Sequence, residues 1–576
     1  MRRSRYLPLL LAALMPLSGM AQSPGQSRTS TSPATLIRLD QPMGEALARD
    51  MLGRFGFGAT TADLARVAQW TPRAYIEYGI RGDSPLPPAV ATRIAALSVA
   101  GPLQPLWEAW GPGSEARESM RNDEVRRKEF DRTERRFVQE AIQARLLAMA
   151  NSPNQAHEAL LSFWLNHFSI FGLKSFDKLL AFDYARRMEA AMKEDSFESL
   201  LRASFYHPAM QFFLDNAQST APSSEAARLA AERGRDMGIN ENLARELMEL
   251  HTLGVEGGYT QTDIQELARI ITGVGAWVPR MVDRNLERAG AVRDGLFLFD
   301  PRRHDPGAKN LLGEYFAAVS TMTTAASEAG LREIERALHL LAAHPSTARH
   351  LSRKLAQRFL ADEPSEATVS AMARAWRDSN GRISSVLFAM MATPEFARSL
   401  ATRAKFREPL DQVLFTARAA CQGDVISNAE MLAAVAVDNG QAPYMRSTPD
   451  GYGAREADWF SPAAIAKRVR FAMNVAVGHA PLLAQGLAQG RGLERSREED
   501  MAGQGERDMN GDNRDNNRGN GGQRPRILEG EACRADPDAV AQALGPLSTA
   551  TRDAAANLPL RERAAVLLSS PEALRR

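Results

Sequence analysis

Residues 240–277 read NENLARELMELHTLGVEGGYTQTDIQELARIITGVGAW. Ile264, Leu267, Ala268 and Ile271 recur at i, i+3, i+4 and i+7, the period of a helix with one apolar face. Leu243, Leu247 and Leu250 mark a second such helix before the Gly257-Gly258 turn. A chain patterned this way must bury helix against helix. The same period returns at Leu351, Leu355, Phe359 and Leu360, and alternating runs are short, with GLFLFD at 295–300 the best strand. The predicted fold class is all-α: a multi-helix globular bundle with long functional loops and at most a minor strand pair.

Helix starts are written in polar residues. Thr260 with Asp263 reads as a capping box, and Thr393-Pro394-Glu395 and Ser570-Pro571-Glu572 each place an N-cap before a proline at N1. Residues 115–140 read as one highly charged helix with a solvated face.

The ends and the charge bound the class. MRRSRY followed by LPLLLAALMPL and Gly19-Met20-Ala21 reads as a signal peptide over 1–21, so a periplasmic or secreted protein is expected. A flexible leader follows over 22–39. The main helical domain spans 40–490, a disordered low-complexity insertion spans 491–533, and a C-terminal helical segment over 534–576 docks on the main domain. No later run reaches transmembrane length, so the chain is not read as an integral membrane protein. The 71 basic and 69 acidic side chains nearly balance, which gives no field for nucleic acid. Cys421 and Cys533 are the only cysteines, too few for a Cys-rich zinc or iron–sulfur site; their pairing stays open.

Six acidic side chains and two arginines interrupt the apolar helices of 240–276. At 100° per residue Asn242, Arg245, Glu246 and Glu249 share one stripe. Two carboxylates one turn apart can share a proton, bind a cation, or divide into acid and base. The alternative is an ion-pair ladder, Glu241–Arg245–Glu249, that fixes packing. FWLNHFSIF (163–171) sets Asn166 and His167 in an aromatic surface, and HPAMQFFLDN (207–216) ends in Asp215-Asn216. FDPRRHDPGAKNLLG (299–313) offers His304 and Lys309, and STPDGYGAREADWFSP (447–462) offers Asp450, Tyr452 and Trp459 beside a Pro-Asp-Gly turn. Each has a structural alternative: a hydrogen-bonded core histidine, a cap, or a loop pinned by its tryptophan.

FGFGAT (55–60), FWLNHFS, HPAMQFFLDN, the 240–273 segment, HDPGAKNLLG, HPSTARHLSRKLAQRF, KFREPLD and TPDGY arrive in an order that resembles the bacterial family catalogued as domain of unknown function 1800. The resemblance implies an exported, mostly helical protein, encoded near an exported family that resembles alkaline phosphatases and sulfatases. It carries over no catalytic residues. The expected function is a hydrolase or lyase acting on an extracellular or envelope polymer, such as a glycan polysaccharide. Glu246 and Glu249 would be its acid/base pair, with Asp215, His167 and His304 as further catalytic candidates. Arg245, Asn242, Lys309, Asp450, Tyr452 and Trp459 would hold substrate. The rivals are a non-enzymatic scaffold for the phosphatase/sulfatase-like partner, and an enzyme whose carboxylates and histidines hold a divalent metal.

Overall fold

The computed structural model describes residues 36–121, 123–278, 290–319, 324–484 and 530–576. The expected signal peptide, the leader up to residue 35 and the low-complexity run up to 529 lie outside these residues. Asp123 starts the long helix Glu124–Asn151 by accepting from the Val125 and Arg126 amides. That cap separates it from the short helix Glu115–Ser119, so the charged stretch is two helices rather than one. The first turns of the long helix are solvated; from Phe137 onward it runs into the core.

Against it pack the helices Gln155–His167, Asp177–Met192, Pro409–Cys421 and Ala429–Asp438. Every residue of Pro409–Cys421 is buried. A helix covered on all sides belongs at the centre of a large core. Pro345–Phe359, Glu366–Asp378 and Ile383–Met391 stack in succession beside it. Leu560–Leu568 packs on Pro462–Ala476, Pro537–Leu544 packs on Pro409–Cys421, and Thr549–Ala556 packs on Leu560–Leu568.

Arg54, fully buried, shows how distant pieces are tied. Its Nη1 donates to the Phe359 and Leu360 carbonyls and to Ser399 Oγ, and its Nη2 to the Ser399 and Arg576 carbonyls. It thereby supplies donors to helix-end carbonyls that would otherwise lack partners.

The all-α class stands, with small sheets at the edge. Val274–Ala276, Val292–Asp294 and Phe297–Phe299 form one antiparallel sheet, the last strand central, with Val274 and Val292 both opposite Phe299. Lys309–Leu311 pairs with Glu314–Phe316, and Leu483–Ala484 with Gly530–Glu531. That exceeds a single strand pair because strands of two or three residues leave no alternation to read. Residues 530–533, assigned from sequence to the disordered run, include this last strand and Cys533, which is bonded to Cys421 with the Cα atoms 4.9 Å apart. No helix among the described residues is long and apolar enough to cross a membrane.

Candidate functional site

A cavity of about 280 Å³ opens where the loop 441–458 crosses three helices. Its walls come from the end of Gln155–His167, from Pro345–Phe359 and from the start of Pro409–Cys421, with Arg145 reaching in from the long helix. The loop is fastened at several points. Asn166 Oδ1 accepts from the Tyr452 amide at 2.7 Å, and its Nδ2 donates to the Tyr452 carbonyl at 2.9 Å. Gly172 donates to the Tyr444 carbonyl, Gln441 bonds Glu408 and the Leu410 amide, and Lys405 holds the Ala454 carbonyl. Trp459 Nε1 donates to the Gly453 carbonyl while its ring leans on Tyr452.

The charged groups of the wall are mostly paired. Arg358 binds Glu408 at 2.7 Å and both oxygens of Asp411 at 2.7 and 3.0 Å. Arg446 clamps Asp450 through Nη2 at 2.7 Å. Burial alone would raise the Asp450 carboxyl, but the bonds from Arg446 and Thr448 offset it and hold the group below its ordinary range. Asp458 accepts from the Arg455 amide.

Lys354 differs. It lines the cavity with part of its surface open, and its ammonium makes no hydrogen bond or ion pair among the described residues. Burial pushes it down to about 8, with the charge of Asp450 opposing. One turn back on the same face is His350, whose Nε2 approaches the Leu250 carbonyl at 3.2 Å. Burial, then the Lys354 charge, lowers that imidazole to about 4, and the same two causes lower His251 to about 3. At neutral pH Lys354 therefore has uncharged imidazoles behind it and a partly neutral amine of its own.

Residues 50–575 match the family described as "Protein of unknown function (DUF1800)". The chain belongs to that family. No curated protein and no solved structure matches it.

The sequence-predicted residues of this DUF1800 protein do not all meet. Asp450 and Tyr452 line the cavity, and Trp459 lies outside the lining with its ring against Tyr452. Asn242, Arg245, Glu246 and Glu249 lie on the short helix Asn242–Glu246 and the π-helical turn Leu247–His251 that continues it. They are part-exposed rather than buried: Leu243, Ala244, Leu247 and Met248 face the core and the polar stripe faces out. Arg245 bridges Glu241 at 3.2 Å and Glu249 at 3.4 Å, which is the ladder. Glu246 is raised by burial and by Glu249, with a further push from Asp450, so the stripe lies within electrostatic reach of the cavity rim.

His167 is a core residue: it is buried among Phe163, Trp164, Phe168 and Phe197, with Nε2 at 3.1 Å from the His251 carbonyl. Asp215 is exposed, at a left-handed turn with φ 60°, and pairs with Lys174 at 2.9 Å. His304 and Lys309 sit elsewhere, both buried on Glu333 at 2.8 and 2.9 Å. Their neutraliser comes from the helix Thr324–Ala343, so no local pattern announced it. Among the described residues no group of three or more His, Cys, Asp or Glu side chains could hold a metal ion.

Sequence reasoning missed Lys354, Arg145, Arg358 and Tyr444. The available signal was HPSTARHLSRKLAQRF, where His350, Lys354 and Arg358 repeat at i, i+4, i+8 beside the apolar stripe.

Proposed function

We propose that this chain is an exported enzyme that cleaves a glycan of the envelope or extracellular space, acting as a lyase with Lys354 as the proton-transferring group. The observation that carries the reading is the unpaired Lys354 amine in the loop-covered cavity. A lysine with its proton affinity near neutrality works as a general base, where an ordinary surface lysine stays charged.

Elimination needs one such base. Lys354 Nζ takes a proton from a sugar carbon, the carbon–oxygen bond to the neighbouring residue breaks as a double bond forms, and the same nitrogen returns the proton to the departing oxygen. No water or metal enters the balance. Hydrolysis by paired carboxylates is supported less well. It calls for two carboxyl groups about 5–9.5 Å apart on either side of the bond. Glu408, Asp411, Asp450 and Asp458 are each already engaged. Glu246 and Glu249 share one helix face. Tyr452 in the cavity lining, with the ring of Trp459 against it, provides flat apolar surface, which suits sugar rings.

The test is turnover of a polysaccharide panel by the full chain, read by the ultraviolet absorbance of the new carbon–carbon double bond. Lys354→Met should abolish it. Products that carry an oxygen from labelled water would replace the lyase with a hydrolase. An inert protein that co-purifies with a phosphatase-like partner would favour the scaffold.

A further inference from the structure

Tyr444 is a bulky residue in a conformation that such residues avoid. Its φ is 61°, in the left-handed region where Cβ crowds the backbone and which non-glycine residues other than Asn and Asp seldom occupy. The backbone is held there by the Gly172 amide, which donates to the Tyr444 carbonyl at 2.8 Å. A side chain at Gly172 would be crowded: a Cβ would stand 3.1 Å from both Tyr444 Cβ and Val138 Cγ1. The two residues pack closely, and Tyr444 is one of the residues that line the cavity.

Its hydroxyl is buried and has no hydrogen-bond partner among the described residues. A buried phenol without a partner is an unfavourable arrangement that a protein interior normally avoids. Arg145 shares the wall, and its charge acts on the phenol, with the Glu158 carboxylate opposing. It gives Nη2 to Glu158 at 2.9 Å and is itself nine-tenths buried. Strain that persists at a cavity and leaves a donor unsatisfied is a mark of a binding group.

We propose that Tyr444 and Arg145 form a carboxylate-binding subsite, so that the polymer taken into the cavity is a glycan bearing uronic acids. This rests on the reading of the cavity as the place of cleavage, and it supplies what that reading lacks. A carbon–hydrogen bond next to a carboxylate becomes acidic enough for an amine to break only when the developing negative charge is stabilised. A phenol O–H and a guanidinium on the carboxylate do that, as donors aimed at charge that grows in the transition state. Lys354 then removes the proton at the carbon bearing the carboxylate, and the oxygen on the next carbon departs.

The hydroxyl can be removed cleanly. Tyr444→Phe deletes no bond that the protein makes, so it should keep or slightly raise the melting temperature. Binding of an oligogalacturonate and of its methyl ester is measured by calorimetry for the full chain, for Tyr444→Phe and for Lys354→Met. The wild type should prefer the acid, and Tyr444→Phe should weaken acid binding about tenfold or more while leaving the ester alone. Lys354→Met should bind the acid without cleaving it. A wild type that cleaves acid and ester alike, or a Tyr444→Phe variant with unchanged preference, overturns the carboxylate subsite and leaves the cleavage reading standing. A wild type that binds neither compound also overturns the subsite, and turnover of neutral glycans then decides the cleavage reading separately.

Discussion

Asn166 and Tyr452, separated by 286 positions in the chain, exchange two hydrogen bonds: the Asn166 amide group donates to the Tyr452 carbonyl and accepts from the Tyr452 amide. One side chain thus copies the pairing of a strand and pins the loop that roofs the cavity. The neighbouring Gly451, at φ 74°, fits because a Cβ there would overlap the Asn166 carbonyl. Asn166→Ala removes both bonds and should cost about 2 kcal/mol, at roughly 1 kcal/mol for each bond. Denaturant unfolding measures the loss, and hydrogen exchange at the Tyr452 amide localises it. Protection of that amide equal to the wild type would show that the loop is held by its other fastenings.

Lys354 links the site to stability through pH. Its native proton affinity is near 8, against 10.5 for an ordinary lysine. Between those values the unfolded chain binds more protons, so this residue makes stability rise with pH across that window. Below about 8 its destabilisation is complete. Lys354→Met should therefore be more stable than the wild type at pH 7, with a difference that shrinks as the pH approaches 10.5. Catalysis moves the opposite way on substitution: wild-type turnover should climb to a plateau above about pH 8, and the Met variant should have none. Paired melting curves at pH 7 and 10 provide the check, and a difference that does not change with pH would mean that Lys354 titrates normally.

The helices were legible because their period is long and their caps are chemical. Thr260 and Asp263 form the expected box, with the Thr260 amide 2.8 Å from Asp263 Oδ2. Asp450 and Tyr452 were legible for a similar local reason, a Pro-Asp-Gly turn with polar neighbours. Lys354 was not. A lysine beside Leu351 and Leu355 reads as a stem lying along an apolar face with its ammonium in water. Only the loop 441–458, some ninety positions later, covers it. The Glu246–Glu249 stripe failed in the other direction. Carboxylates that interrupt apolar helices imply burial, whereas the short helix and its π turn bury Leu243 and Leu247 on one side and leave the acids part-exposed.

Cys421 ends the central helix and Cys533 follows the strand Gly530–Glu531, which closes a loop over a sequence separation of 112. A cross-link of that span restricts the unfolded chain by about 4.7 kcal/mol in the chain-entropy account, and loss of a native disulfide costs about 2–5 kcal/mol. Cys533→Ser should lower stability within that range. Reductant should bring the wild type to the same level and have no further effect on the variant. If reductant leaves the wild-type melting curve in place, the bond contributes nothing to the cooperative unit.

Arg358 holds both Glu408 and Asp411 in the cavity wall, and all three are buried. Burial would raise Asp411, but Arg358 and Arg576 overcome it and take the group down to about 2, from an ordinary 3.8. A lowered carboxyl stabilises the fold above its unfolded value, and the contribution disappears as the pH falls from 3.8 through 2. Arg358→Met strands the two carboxylates, with Arg576 at 2.8 Å from Asp411 and Gln441 on Glu408 in partial compensation. The expected cost at neutral pH is about 3–5 kcal/mol. Because the variant's carboxylates take up protons earlier, the gap between variant and wild type should narrow in acid. Arg358→Lys should recover little, since one ammonium cannot reproduce the two-pronged contact with Asp411. Denaturant unfolding of the three proteins at pH 7 and pH 3 checks each point, and a lysine variant as stable as the wild type would reduce the role of Arg358 to a bare charge.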